Sequence, residues 1–241
     1  MTYSKDLAFI HDEGFGNVAI NAGILIDSYL KNKQSKCLVV DLGCGSGIMA
    51  RELLKKGYNV YGIDISESMI NLAKRKAPKA EFKVGSYLNE KIPKCHAITS
   101  IGEGFNYLFD ERVNLKTLTQ LFEKCYHSLE RNGILVFDIL ETSHHIDHSS
   151  KSFKTSKLWA VTAENIENKE TKTLKRVITS FVKHGKDYER TDEIHKITLY
   201  EQRNIAEILK KIGFKVKIQN NYGELTLRPG CSVYICKKIT V

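Results

Sequence analysis

A chain of 241 residues, 42% hydrophobic and 27% charged, suits one soluble α/β domain with room for an inserted lobe. It is long enough to bury a core without disulfides or metals, and no apolar run is long enough to span a bilayer. The net charge of +9 admits an anionic partner, but the lysines fall in scattered pairs (Lys55-Lys56, Lys210-Lys211, Lys237-Lys238) near the ends of predicted elements, which argues against a nucleic-acid surface.

Leu7 to Leu30 reads as helical, broken near Gly14-Phe15-Gly16. Cys37 to Leu42 is a short continuous apolar run, the pattern of a buried parallel strand, and it ends in Gly43-Cys44-Gly45-Ser46-Gly47. A helix follows from Ile48 to Lys56, then a strand from Asn59 to Asp64. The next helix is capped by Ser66 and ended by Pro78. Strands are expected at Ala80 to Val84, His96 to Ser100 and Ile134 to Leu140. An amphipathic helix is expected from Leu115 to Leu129, and a turn at Arg131-Asn132-Gly133. Strand–helix alternation of this kind implies a Rossmann-like, mostly parallel seven-stranded sheet covered on both faces.

The rhythm then changes. Glu141 to Lys157 is polar and histidine-rich, and reads as a loop. Trp159 to Ile166, Thr171 to Lys183 and Tyr188 to Leu199 read as an inserted antiparallel meander. A helix from Arg203 to Ile212 and strands at Phe214 to Ile218 and Ser232 to Lys237 complete the sheet. The expected division is therefore a single domain: an N-terminal helical lid (1–36), a cofactor-binding core (37–140), the inserted loop and meander (141–200) and the completion of the sheet (201–241). The six cysteines form no CxxC pair and are expected to be reduced thiols, with no metal site. Met1 to Ile10 carries none of the features of a signal peptide, so a cytoplasmic location is expected; a monomer or homodimer is also expected.

The chemistry begins at Asp41 to Gly47. A strand that ends in a glycine-rich turn and enters a helix lets a ligand approach the backbone closely, and leaves helix N–H groups free for a carboxylate or phosphate. Asp64 ends the next strand, 23 residues after Asp41, where its carboxylate can accept both hydroxyls of a ribose. These features indicate an adenosine-type ligand. A dinucleotide fingerprint would require Gly or Ala where Ile48 stands. Asp41, just before the glycines, suits a cationic amine rather than a pyrophosphate.

Val39-Val40-Asp41-Leu42-Gly43-Cys44-Gly45-Ser46-Gly47 resembles the first motif of class I S-adenosylmethionine-dependent methyltransferases, and Ile63-Asp64-Ile65-Ser66 with Met69 resembles the second. Arg131-Asn132-Gly133-Ile134 resembles the family's turn into strand five, and Gly213-Phe214 its entry to a late strand. The resemblance implies S-adenosyl-L-methionine as cofactor. It places Gly43, Cys44 and Gly45 against the methionine part, Asp41 near the amine, Asp64 on the ribose, and Ile65 and Met69 on the adenine. Gly85 and Ser86 would contact the adenine ring, with Ser86 where the family often has Asp. Ile101 and Gly102 would lie beneath the sulfonium.

On the acceptor side, Phe105-Asn106-Tyr107-Leu108 resembles a stretch common in small-molecule members, so Phe105, Asn106 and Tyr107 are expected to bind acceptor. His11 and Phe15 from the lid and His144 from the polar loop join them. A base is needed only where the acceptor must lose a proton. His195, Glu103 and Tyr222 are the candidates for catalysis; Thr191, Glu193 and His195 share one strand face by alternation. The expected reaction is methyl transfer to nitrogen or oxygen of a small-molecule acceptor. An RNA methyltransferase and a non-catalytic cofactor-binding regulator are the alternatives.

Overall fold

The computed structural model describes residues 3–32, 36–143 and 145–239. The N-terminal stretch forms two helices, α1 (Lys5–Gly14) and α2 (Asn17–Leu30), divided at the expected glycines. Ser4 caps α1 by accepting from the Leu7 backbone N–H. The alternating region then runs β1 (Leu38–Leu42), α3 (Ile48–Lys55), β2 (Asn59–Asp64), α4 (Glu67–Lys76), β3 (Glu81–Val84), β4 (Cys95–Ser100), α5 (Leu115–Ser128) and β5 (Leu129–Leu140).

After β5 come β6 (Ser150–Thr155), β7 (Trp159–Asn168), β8 (Thr173–His184) and β9 (Asp187–Thr198), which form a separate four-stranded antiparallel sheet in that order. The chain returns through α6 (Gln202–Ile212) and β10 (Phe214–Gln219), makes a two-stranded hairpin of β11 (Asn221–Tyr222) and β12 (Leu225–Thr226), and ends in β13 (Cys231–Lys238).

The main sheet has seven strands in the order β10-β13-β5-β4-β1-β2-β3. The ladders from β5 to β3 are parallel, whereas β13 pairs antiparallel with both β5 and β10. Its two faces bury separate clusters. One centres on Phe105, Phe122, Phe137 and Tyr234, the other on Ile26, Val39, Met49, Leu53 and Tyr222. The four-stranded sheet has its own apolar face, where Trp159, Val161, Ile178 and Val182 pack on Leu7 and Ile10 of α1. Among the described residues no helix is long and apolar enough to cross a membrane.

Two local expectations need correction, and one element has no counterpart in the sequence pattern. The polar stretch from Glu141 to Lys157 is not all loop, because Ser150–Thr155 is β6, the edge of a sheet of four strands rather than three. All six of its side chains are exposed. The strand is held by its ladder to β7 and carries no apolar face that a pattern could reveal. The turn at Arg131-Asn132-Gly133 lies inside β5, where Asn132 has φ 58° and the register against β4 shifts. The β11–β12 hairpin, with only two residues in each strand, is shorter than any periodicity can show.

Candidate functional site

The ends of β1, β2 and β4 point toward one cavity of about 670 Å³, between the main sheet, α1 and the inner face of the inserted sheet. The topology dictates this: parallel strands open their loops at the carboxyl edge, and the order reverses between β1 and β4.

Gly43 and Gly45 line the cavity with φ of 76° and 52°, conformations that disfavour any side chain. A Cβ built on either meets no protein atom within 4 Å, so the open side of this turn is where a ligand can lie against the backbone. Asp64 braces the turn: its Oδ2 accepts from Gly45 N at 2.8 Å and its Oδ1 from Ser66 N at 2.8 Å. It lines the cavity beside Ile65, Ser66 and Met69. Burial raises the Asp64 carboxyl above its usual range, while the two backbone N–H bonds pull the other way.

Asp41 lies beneath the glycine turn, 3% exposed, and its Oδ1 accepts from the Thr99 hydroxyl at 2.8 Å. Burial pushes it up to about 7, against the Thr99 bond and helped by the nearby charge of Asp64. Cys44 turns its side chain away from the cavity: its Sγ would lie 2.8 Å from a Cβ at Gly62. Gly85 also sits off the wall, and a Cβ there would meet Glu90. Ser86 does line the cavity, and its hydroxyl donates to Asp110, a second wall residue. Asp110 thus brings a carboxylate to the wall beside Ser86. Arg112 hydrogen-bonds Asp110 and holds its carboxyl well below the usual range.

These residues fit an S-adenosylmethionine-sized ligand with an adenosine and an amine: a glycine cradle open on one side, a carboxylate in the wall beside it, and buried acid under the turn. A methyltransferase-domain family model matches residues 39–133, the segment that builds this half of the cavity. The chain is a methyltransferase, with its methyltransferase domain at residues 39–133. A Geobacillus sp. (strain WCH70) protein that carries the methyltransferase name is 28% identical over 198 residues, covering 76% of each chain. A solved S-adenosylmethionine-dependent methyltransferase from Clostridium acetobutylicum ATCC 824 superposes with a TM-score of 0.79 at 21% identity, over 97% of this chain and 98% of that one. The sugar N-methyltransferase KedS8 of Streptoalloteichus sp. ATCC 53650 gives 0.78 at 11% identity, over 100% of this chain and 94% of its own.

The other half of the methyltransferase cavity is built by the inserted sheet and the loop after β4. Gly102 and Glu103 both have positive φ, 81° and 63°. Asp138, near the end of β5, pins this turn by accepting from Gly102 N at 2.8 Å and Glu103 N at 2.7 Å. Burial lifts Asp138 to about 6, although the bonds from Tyr222 and the two amides hold it down. The Glu103 carboxylate lies between two guanidiniums: Arg176 Nη2 at 3.2 Å and Arg228 Nη2 at 2.6 Å. Burial alone would raise Glu103, but the two arginines outweigh it and leave its carboxyl below the usual range. Arg176 also donates from Nε to Asn165 at 2.9 Å and from Nη1 to the Tyr107 hydroxyl.

Helix α1 and its flanks form the remaining side. Tyr3, Leu7, His11 and Phe15 line the cavity from α1 and its flanks. Asp12 pairs with Lys76, Glu13 accepts from the Trp159 indole at 3.2 Å, and Ser4 N donates to Glu193 at 3.0 Å. The His11 ring is neutral at pH 7, since burial lowers it to about 4. Its Nδ1 is buried without a hydrogen-bond partner.

Several acceptor-side expectations are corrected by this geometry. His195 is 1% exposed and lies outside the cavity wall, with Nε2 on Glu193 at 2.9 Å and its ring packed on Tyr3, Tyr107 and Phe109. Tyr222 is sealed in the core, its hydroxyl donating to Asp138 at 2.7 Å. Phe105 belongs to an aromatic core cluster with Tyr87, Phe122 and Phe137. Asn106 is fully buried and ties the inserted sheet to β5 through Leu140 N, Leu140 O and Thr198 O. Glu103 lines the cavity, but a carboxylate held by two guanidiniums is a poor proton acceptor. Ile101, Gly102, Tyr107, His11 and Phe15 are in the wall; His144 lies outside the described residues. Arg176, Arg228, Asn165, Asp110 and Asp138 are wall residues that the sequence reading missed.

Proposed function

We propose that this methyltransferase methylates a nitrogen or oxygen of a small-molecule acceptor held against the inner face of β7 and β8. One observation carries this: the glycine turn and Asp64 share a single cavity with Tyr107, Asn165 and Arg176 of the acceptor half. A volume of about 670 Å³ is the scale of small-molecule sites. The likeness in fold to a sugar N-methyltransferase supports the same reading.

When bound, S-adenosylmethionine supplies an electrophilic methyl group on a positively charged sulfur. The chain's own share of the work is alignment and exclusion of water. Gly43 and Gly45 admit the methionine part, Asp64 takes the ribose hydroxyls, and Ile65 and Met69 pack on the adenine beside Ser86 and Asp110. The lid covers the site through Tyr3, His11 and Phe15. His11 is in the wall and neutral, but a ring that burial lowers to about 4 is, like Glu103, a weak proton acceptor, so its part is to line the acceptor site.

The test is a methyl-transfer screen of the purified chain over amines, amino sugars and phenols, with bulk RNA as a control. Turnover of a small molecule is expected. Methylation of RNA alone, or cofactor binding with no turnover at all, would overturn the proposal.

Asp41 adds a pH signature. Its unliganded carboxyl sits at about 7, above its unfolded value, so its contribution to stability is present at low pH and lost as pH rises through about 7. A cofactor ammonium near the turn favours the anion. Binding at pH 6 is therefore expected to release close to one proton, and affinity should climb to pH 7 and level off above it. Calorimetry at pH 6 in two buffers of different ionisation heat measures this. Equal apparent enthalpies in both buffers, or an unchanged difference in Asp41→Asn, would remove Asp41 from the amine site.

A further inference from the structure

We infer that the acceptor carries an oxyanion, a carboxylate or a phosphate, which docks on Arg228 and Arg176. The inference rests on the small-molecule reading above and names the substrate class of that same site. Two guanidiniums line the acceptor half and share one carboxylate, Glu103. Asp138 is in the same wall, but its oxygens are already taken by Gly102 N, Glu103 N and the Tyr222 hydroxyl. Among the described residues the two guanidiniums therefore share Glu103 as their one ion-pair partner. An anionic ligand completes the set.

The donor count agrees. A guanidinium carries five N–H donors in a planar fork suited to carboxylate and phosphate. Arg176 directs one atom each at Asn165, Tyr107 and Glu103, and its side chain is only 16% exposed. It is a fixed donor. Arg228 makes one side-chain contact among the described residues, from Nη2 to Glu103, and its side chain is 37% exposed on the cavity wall. Its Nε and Nη1 therefore remain for a ligand. Thr226, two residues earlier on the same hairpin, also lines the cavity. Asp64 and Asp110 line the half assigned to the cofactor, whereas Arg176 and Arg228 line the acceptor half together with Glu103 and Asp138.

The experiment uses the full chain saturated with S-adenosylhomocysteine. Thermal unfolding is followed with inorganic phosphate, with malonate and with chloride at matched ionic strength. One oxyanion is expected to raise the melting temperature beyond the chloride control, with saturation at millimolar concentration. Which of the two acts distinguishes phosphate from carboxylate. Arg228→Ala should weaken that effect about tenfold or more. Arg228→Lys should restore only part of it, because a point charge replaces the fork.

Three results overturn the inference: neither oxyanion exceeds chloride, the shift survives in Arg228→Ala, or Arg228→Ala weakens S-adenosylhomocysteine but not methylthioadenosine. The last would assign Arg228 to the cofactor's own carboxylate. Failure of S-adenosylhomocysteine to bind the native chain would instead sink the cofactor site, and this inference with it.

Discussion

Asp64→Ala is expected to weaken S-adenosylhomocysteine binding by on the order of 100-fold, with a smaller loss of stability. Two effects add. The ribose loses a charged acceptor for its hydroxyls, and hydrogen bonds to charged groups contribute roughly 1.5–3 kcal/mol each, where about 1.4 kcal/mol is tenfold in affinity. The glycine turn also loses its brace, because Gly45 N and Ser66 N both donate to Asp64 at 2.8 Å. An unsatisfied N–H costs about 1–3 kcal/mol when buried, so the turn should drift from the shape that admits the ligand. Asp64→Asn keeps one acceptor oxygen and should fall between the two. Calorimetric titration gives the affinity, and circular dichroism checks that the fold persists. Affinity within twofold of the native chain for Asp64→Ala would sink the ribose assignment.

The cofactor half of the site was legible because its chemistry is local. A buried parallel strand shows as a continuous apolar run, the glycines mark the turn directly after it, and Asp64 sits at the end of the next such run. The acceptor half is assembled from residues distant in sequence, and there the reading went astray. His195 seemed to face the ligand because it alternates with Glu193 and Thr191. That face does point inward, but at His195 it meets Tyr3, Tyr107 and Phe109 rather than the cavity. Phe105 and Asn106 follow the strand that carries the site, yet the chain dips into the core there and only Tyr107 re-emerges at the wall.

Arg176 did leave a signal. Leu174, Ile178, Ser180 and Val182 alternate with it on the inward face of β8 and are all buried, so an arginine in that row is out of place on a solvated surface. Asp138, between Phe137 and Ile139 in the apolar run of β5, is the same kind of signal. A charge on an apolar strand face is held by partners, and here those partners are the site.

Arg176→Met therefore carries the largest expected cost to stability. The substitution leaves the Glu103 Oε2, Asn165 Oδ1 and Tyr107 hydroxyl oxygens without their donor in a buried place. Breaking a buried pair by removing one partner costs about 3–5 kcal/mol, because the remaining charge is uncompensated. Arg228 still faces Glu103, which points to the lower end of that range, or roughly 6–12 °C in melting temperature for a chain of this size. Adding Glu103→Gln removes the stranded charge, so the double variant should melt above Arg176→Met alone. Turnover should stay low in both, since neither restores the fixed guanidinium of the acceptor half. A double-mutant cycle measured by denaturant unfolding separates the two cases. A favourable coupling means that Arg176 and Glu103 stabilise each other across the joint between the core and the inserted sheet. Strictly additive losses would mean that each side chain is held by its other partners, and that the inserted sheet is fixed to the core mainly by Asn106 and the ladder contacts at Tyr107 and Tyr200.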